Sequence, residues 1–302
     1  MQKVAVLMST FNGGKFLKEQ IDSVLNQINV DVCLLVRDDG STDGTQSILD
    51  DYKSQNLLNW YQGDNVGPAK SFMDLVFQAP NCDYYAFCDQ DDFWLPNKLF
   101  RAVSLLENAE CPALYCSANT LVNEHLEAYT QVQRKQIRKS PTFGGVLLKC
   151  CAIGCTYVFN KMARNQILKT PGDAEIVMHD AWIQKIIFCI GDVIYDNESF
   201  ILYRQHEKNV IGSSTSKTNQ WIRRFRKTRN ILSGSRRNVI SDIYDIYRSE
   251  MTDKNKISVI EDFYNLNHSF AARIRLCCSE NVRCFNLIDT ILFKLLILVG
   301  KI

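Results

Sequence analysis

No Cys-x-x-Cys pair occurs among the twelve cysteines of this 302-residue chain, which removes the usual spacing of a structural zinc site. No secretory leader is expected either. Met1-Gln2-Lys3 runs straight into Val4–Met8, an apolar run too short for a signal-peptide core. Most cysteines sit in apolar contexts, as in Val32-Cys33-Leu34-Leu35 and Phe87-Cys88, and read as reduced core residues of a cytoplasmic protein. Net charge is only +2, so no global field draws the chain to nucleic acid. Proline is absent from residues 217–302, where only two glycines occur, so little there interrupts long helices. Residues 284–299 are strongly apolar but carry Asp289 and Lys294. That run is shorter and more charged than a membrane span. Internal repeats and low-complexity tracts are not evident.

What is present alternates. Val4–Met8, Val30–Val36, Asn59–Tyr61 and Tyr84–Cys88 read as strands. Between them, Phe16, Leu17, Ile21, Val24, Leu25 and Ile28 fall on one helical face, and helices are expected over about 44–54 and from Gly67-Pro68 to about Gln78. Ser41 or Asp43 is placed to cap the first of these two, and a further helix is expected from Pro96. Near-continuous apolar strands alternating with helices predict an α/β fold, its largely parallel sheet covered on both faces. Farther on, the sequence predicts a polar loop over 123–142, a buried helix over Ala181–Ile190, and strands at Val193–Tyr195 and Phe200–Tyr203. A composition change after Ile211-Gly212-Ser213 divides the chain into residues 1–212 and a helical region, 213–302.

In such sheets ligands bind beyond the carboxyl ends of the strands. Three of those ends are chemically loaded: Ser9-Thr10-Phe11-Asn12, Asp38-Asp39-Gly40-Ser41 and Asp89-Gln90-Asp91-Asp92. Crowded carboxylates raise one another's pKa, and a divalent cation held by oxygen ligands, Mg²⁺ or Mn²⁺, relieves the repulsion. Local sequence alone equally fits an acidic surface turn at 89–92 and a plain turn with a helix cap at 39–41.

Five segments, in order, resemble the family 2 glycosyltransferases of the GT-A fold: Met8–Gly13, Val36–Thr45, Asn65-Val66-Gly67, Phe87–Leu99 and Met178–Trp182. The resemblance runs from Val4 to about Gly212. Where the family usually has Glu-Asp, this chain has His179-Asp180, and the wording Asp-Gln-Asp-Asp-Phe-Trp is most similar to rhamnosyltransferase-type members of polysaccharide loci. The resemblance implies a Rossmann-like, mostly parallel sheet and an inverting transfer from a nucleoside diphosphate sugar. Thr10, Asn12, Asp39 and Asp89 are implied at the nucleotide. Asp89 and Asp91, with His206, are implied at a divalent cation. Asp180 is implied as the catalytic base, although it also fits a cap for the helix at Ala181. Asp92, Trp94, His179 and Trp182 are placed at the acceptor or as support. The expected donor is dTDP-rhamnose, with a UDP-hexose as the alternative, and the acceptor a saccharide or lipid-linked saccharide.

Residues 221–237 hold seven Lys or Arg and no acid, interleaved with aromatics. Together with the apolar segment at 284–299, they suggest a peripheral contact with the inner face of the cell membrane, through Leu292, Phe293, Leu296 and Val299. A homodimer contact through the same helices is the rival. A non-catalytic nucleotide-binding or scaffold protein is the reading from another class; the four acidic positions Asp39, Asp89, Asp91 and Asp180 argue against it.

Overall fold

The computed structural model describes residues 1–129, 142–206, 235–284 and 287–302. Apolar runs of the first half form β1 (Lys3–Thr10), β2 (Asp31–Asp38), β3 (Asn59–Gln62) and β4 (Tyr84–Asp89). These pair in parallel in the order β3-β2-β1-β4. Between them run α1 (Leu17–Leu25), α2 (Thr45–Ser54) and α3 (Pro68–Gln78). The sheet continues beyond β4 through β7 (Val158–Asn160), β6 (Ala113–Val122), β8 (Asp192–Arg204) and β5 (Phe93–Trp94). There β7 and β5 run antiparallel to their neighbours, while β6 and β8 pair in parallel.

Alternation along β1 sends side chains to opposite faces. Val4, Val6 and Met8 join Leu17, Ile21 and Val24 of α1 and Leu99 and Ala102 of α4 (Lys98–Leu106). Ala5 and Leu7 join Phe72 and Val76 of α3 and Ile183 and Ile187 of α7 (His179–Ile190). Two short helices, α5 (Phe143–Leu148) and α6 (Lys161–Ile167), also lie on that second face. The C-terminal helices are α8 (Ser235–Tyr247), α9 (Lys254–Tyr264), α10 (Phe270–Cys278) and α11 (Leu287–Leu298). Their Ile240, Ile243, Phe263, Leu276, Phe293 and Ile297 enter the same apolar cluster as α3 and α7. The expected division after residue 212 falls outside the described residues, as does most of the basic run at 221–237.

Local expectations are adjusted in several places. The helix expected from Pro96 begins at Lys98, because the chain first adds the short strand β5 to β8. The two strands expected at 193–195 and 200–203 are one, β8, which passes the polar Asp196-Asn197-Glu198 with register shifts against β6. Neither Ser41 nor Asp43 stands at the cap of α2; Gly44 does, and Asp43 accepts from Thr45 N at 2.9 Å. Phe293 is buried and cannot enter a membrane. Among the described residues of this segment, Leu287, Ile288, Ile291, Leu295, Leu298 and Val299 are the exposed large apolar ones. Among the described residues no helix is long and apolar enough to cross a membrane.

Candidate active site

The carboxyl ends of β1, β2 and β4 open into a cleft of about 890 Å³. The start of α7 and the end of β8 close its other side, bringing Met178, His179, Asp180, Tyr203 and His206 to it. Asp39, Asp89, Asp91 and Asp180 therefore face one cavity although they are spread over 142 residues of sequence.

The β2 turn is held by short polar contacts. Gly40 takes φ +81°, a conformation glycine adopts without steric cost. Beyond it, Ser41 donates from Oγ to Asp38 Oδ1 at 2.5 Å and accepts from Asn12 N at 2.8 Å. Asn12 Oδ1 in turn accepts from Thr42 N at 2.9 Å. Asp38 is consumed by this turn, since it also accepts from Gln46 at 2.8 Å. Asp39 is left to face the cleft, paired behind with Arg37. Thr10, expected at the nucleotide, does not line the cleft. It is buried, and its Oγ1 donates to Gln90 Oε1 at 2.6 Å. Gln90 also accepts from Phe11 N at 2.9 Å, so the central residue of the acidic motif ties β4 to β1.

The acidic loop is clamped from β8. Arg204, almost fully buried, donates from Nε to Asp91 O at 2.8 Å, pairs with Glu19, and lies over the Phe16 ring at 4.4 Å. Its backbone N–H reaches Asp92 Oδ1 at 3.1 Å. Asp92 is thus a buried brace; it neither lines the cleft nor caps α4. His206 Nε2 stands 2.7 Å from Asp91 Oδ2.

Asp89 has its carboxyl pushed up to about 7 by burial first, then by the charges of Asp91 and Asp180. Uncompensated negative charge of this kind fits a divalent cation, and carboxylates with an imidazole are ligands suited to Mg²⁺ or Mn²⁺. Among the described residues, Asp89 also stands in a group of three ligand-type side chains, with Asp92 and Cys155, whose ligand atoms lie within 4.8 Å of one another. Below it the Lys98 ammonium is buried 3.6 Å from the Trp94 ring centre, its pKa pushed down to about 8 by that burial. Asp92 and Cys155 are too deeply buried to meet a ligand from the cleft.

On the opposite wall α7 begins at His179, and Asp180 lies in its first turn. Met178 occupies the cap position, so Asp180 is not the N-cap. Its Oδ1 instead accepts from the neighbouring Ala181 N at 2.6 Å. His179 stacks on Phe72 with ring centres 4.1 Å apart and meets Phe87 edge-on. Burial pushes its pKa down to about 4, so the ring is neutral near pH 7. Neither ring nitrogen has a hydrogen-bond partner among the described residues. Gly154 passes so close that a Cβ there would lie 2.7 Å from His179 Nε2. Both tryptophans expected at the acceptor are core residues. Trp182 donates to Thr170 Oγ1 at 3.1 Å, and Trp94 packs over Lys98; each is 1% exposed. Ile153, Met178 and Tyr203 line the cleft instead. Sequence reasoning overlooked Arg37, Gln90 and Gly154; Gln90 at least stands inside the quoted acidic motif.

The family described as glycosyl transferase family 2 matches residues 5–170, more than half of the chain. A dTDP-rhamnosyl transferase, RfbG of Shigella flexneri, is 30% identical over 226 residues, covering 69% of this chain and 75% of that one. The Escherichia coli UDP-Glc:alpha-D-GlcNAc-diphosphoundecaprenol beta-1,3-glucosyltransferase WfgD is 28% identical over 51% of this chain and 58% of its own. In fold, the chain is similar to S. aureus TarS 1-349 in complex with UDP-GlcNAc. That TM-score is 0.60 at 14% identity, covering 98% of this chain and 81% of TarS 1-349. It is also similar to the Pyrobaculum calidifontis mannosyltransferase PcManGT in complex with GDP-Man and Mn²⁺, with a TM-score of 0.55 at 14% identity, over 97% and 78% of the two chains. The match through the three loaded strand ends, with the relative at 30% identity, makes this chain a member of glycosyl transferase family 2: a glycosyltransferase of the GT-A fold.

Proposed function

We propose that the enzyme moves a sugar, with inversion, from a nucleoside diphosphate donor to a saccharide or lipid-linked saccharide during cell-surface polysaccharide synthesis. The observation that carries this reading is the convergence of Asp39, Asp89, Asp91 and Asp180 on one cleft. Asp39 meets the base. Asn12 stands beside it at the β1 end. Asp89 and Asp91, with His206, hold a divalent cation, Mn²⁺ or Mg²⁺, which when bound neutralises charge on the departing diphosphate. Asp180 takes the proton from the attacking hydroxyl on the far side of the sugar, as a carboxylate does for water in inverting glycosidases. Its hydrogen bond from Ala181 N fixes one carboxylate oxygen. A scaffold without catalysis has no use for this convergence.

For the donor, the relative named as a dTDP-rhamnosyl transferase favours dTDP-rhamnose, and the relative named for UDP-Glc supports a UDP-hexose as the second reading. Donor hydrolysis and transfer, measured across a panel of dTDP- and UDP-sugars with Mn²⁺, test both. Turnover of dTDP-rhamnose well above the UDP-hexoses is expected. Turnover of none of them would sink the catalytic reading.

The C-terminal helices are proposed to rest on an anionic membrane at the cytoplasmic face. The exposed row on and just beyond α11, Leu287, Ile288, Ile291, Leu295, Leu298 and Val299, supplies the apolar contact. The seven basic residues of 221–237 supply charge complementarity, each worth on the order of 1 kcal/mol near anionic lipid. Flotation with anionic liposomes that weakens at high salt is the expected result. A stable dimer in solution that floats with neither anionic nor neutral liposomes at any salt would favour the rival contact between subunits.

A further inference from the structure

The residue behind the nucleotide turn that the proposed chemistry does not use is Arg37. It lies near the end of β2, in register with Ser9 of β1 and Tyr61 of β3, one strand in from the edge of the sheet. Only 5% of it is exposed. A guanidinium is not buried in such a place without partners, and here its arms are divided among three. One nitrogen pairs with Asp39 Oδ1. Nε stands 2.9 Å from Asp74 Oδ2 of α3. Nη2 donates to the backbone carbonyl of Asp64 at 3.2 Å. The surroundings are built to the same shape. Tyr61 donates its hydroxyl to Asp74 Oδ2 at 2.6 Å, which holds the second carboxylate in place. Residue 63 is glycine, and a Cβ there would fall 2.3 Å from Arg37 Nη2. Asp39 itself is nearly buried and lines the cleft. Its Oδ1 is ion-paired with Arg37 from behind, and no described residue hydrogen-bonds to its second oxygen, which remains for a ligand.

We propose that Arg37 is a positioning residue that makes the nucleotide site selective for a base carrying an N3–H, uracil or thymine, over cytosine. The inference rests on the reading that the cleft takes a nucleotide and that Asp39 meets its base. An ionised carboxylate only accepts hydrogen bonds. It therefore rewards N3–H and repels the N3 lone pair that cytosine presents at the same place. That discrimination requires Asp39 to stay charged and unable to turn. A planar, permanently charged fork bridging Asp39, Asp74 and a backbone carbonyl secures both, and a lysine, with one point charge, cannot span the three.

The test is calorimetric affinity for UDP, dTDP and CDP, with Mn²⁺, in the full chain and in Arg37→Met, Arg37→Lys and Asp39→Asn. The unmodified chain is expected to bind UDP and dTDP roughly tenfold or more tighter than CDP. Arg37→Met is expected to weaken UDP by roughly tenfold and to bring the UDP-to-CDP ratio close to that of Asp39→Asn. Arg37→Lys keeps a cation in the cavity, folds, and is expected to retain less than about half of the discrimination. A general loss of packing would weaken all three nucleotides alike and leave the ratio unmoved. Folded Arg37→Met or Arg37→Lys protein with the unmodified ratio overturns the inference while leaving the donor site standing. If the unmodified chain binds none of the three, the donor-site reading itself falls, and this inference with it.

Discussion

On the β1–β2 side of the cleft, Asn12, Ser41, Asp38, Thr42 and Gln46 are joined by hydrogen bonds of 2.5–2.9 Å before any ligand arrives. On the α7 side, His179 keeps two buried ring nitrogens without partners among the described residues, and Asp180 is held chiefly by its own neighbour's N–H. The first wall spends its polar groups on its own shape. The second leaves them unspent at the cleft, beside Asp180. A turn that must hold one base in one pose benefits from rigidity, because ordering cost is met at folding rather than at binding. A wall that meets a hydroxyl and takes its proton needs acceptors that are not already satisfied.

The sharpest way to break this comparison is Asp180→Asn. The amide keeps its oxygen for Ala181 N but cannot take a proton. Transfer is expected to fall by roughly 10²–10⁴ while UDP or dTDP affinity changes little. Steady-state transfer beside calorimetry checks it. Loss of nucleotide affinity in step with turnover would show that the two walls are not separable.

A smaller effect sharpens the picture of the charge between the walls. Asp89 ionises near pH 7 in the folded chain against an ordinary 3.8, because of burial and of the Asp91 and Asp180 charges. A folded pKa raised in this way means stability that is fully present below about 3.8 and is lost as the pH rises through about 7. Without divalent cation, the melting temperature is expected to decline across that window and level off above it. Added Mn²⁺ is expected to raise it by more at about pH 8 than at about pH 5, since the cation competes with the proton for the same oxygens. A cation-induced shift of equal size at both would count against Asp89 as a ligand.

Much of the nucleotide wall was legible in the chain because it is local. Apolar runs of five to eight residues ending in polar turns give strands and their loaded ends, and Asp39-Gly40-Ser41 reads as a turn from residue types alone. The transfer wall was legible only by likeness. Asp180 stands in the quoted Met178–Trp182 segment, yet nothing local distinguishes its cleft-facing side chain from that of Trp182, two residues on, which faces the core. A helix one residue longer or shorter at its start would turn either side chain by about 100°, so its direction is a tertiary matter. Trp94 was misplaced for a related reason. Pro96 signals a helix start, but β5 first pairs with β8 more than a hundred residues later, and that pairing carries Trp94 inward over Lys98.

The sequence by itself determined the alternation of strands and helices, the three polar strand ends and the family, because each depends on residues close together along the chain. The tertiary structure decided which of those polar groups reach the cleft. Thr10 and Asp92 are drawn inward as braces by Gln90 and Arg204, while Asp39 is held at the rim by Arg37. The physical reason is that a buried polar side chain must find its partner wherever the fold brings one, and here those partners come from strands and helices up to 112 residues away.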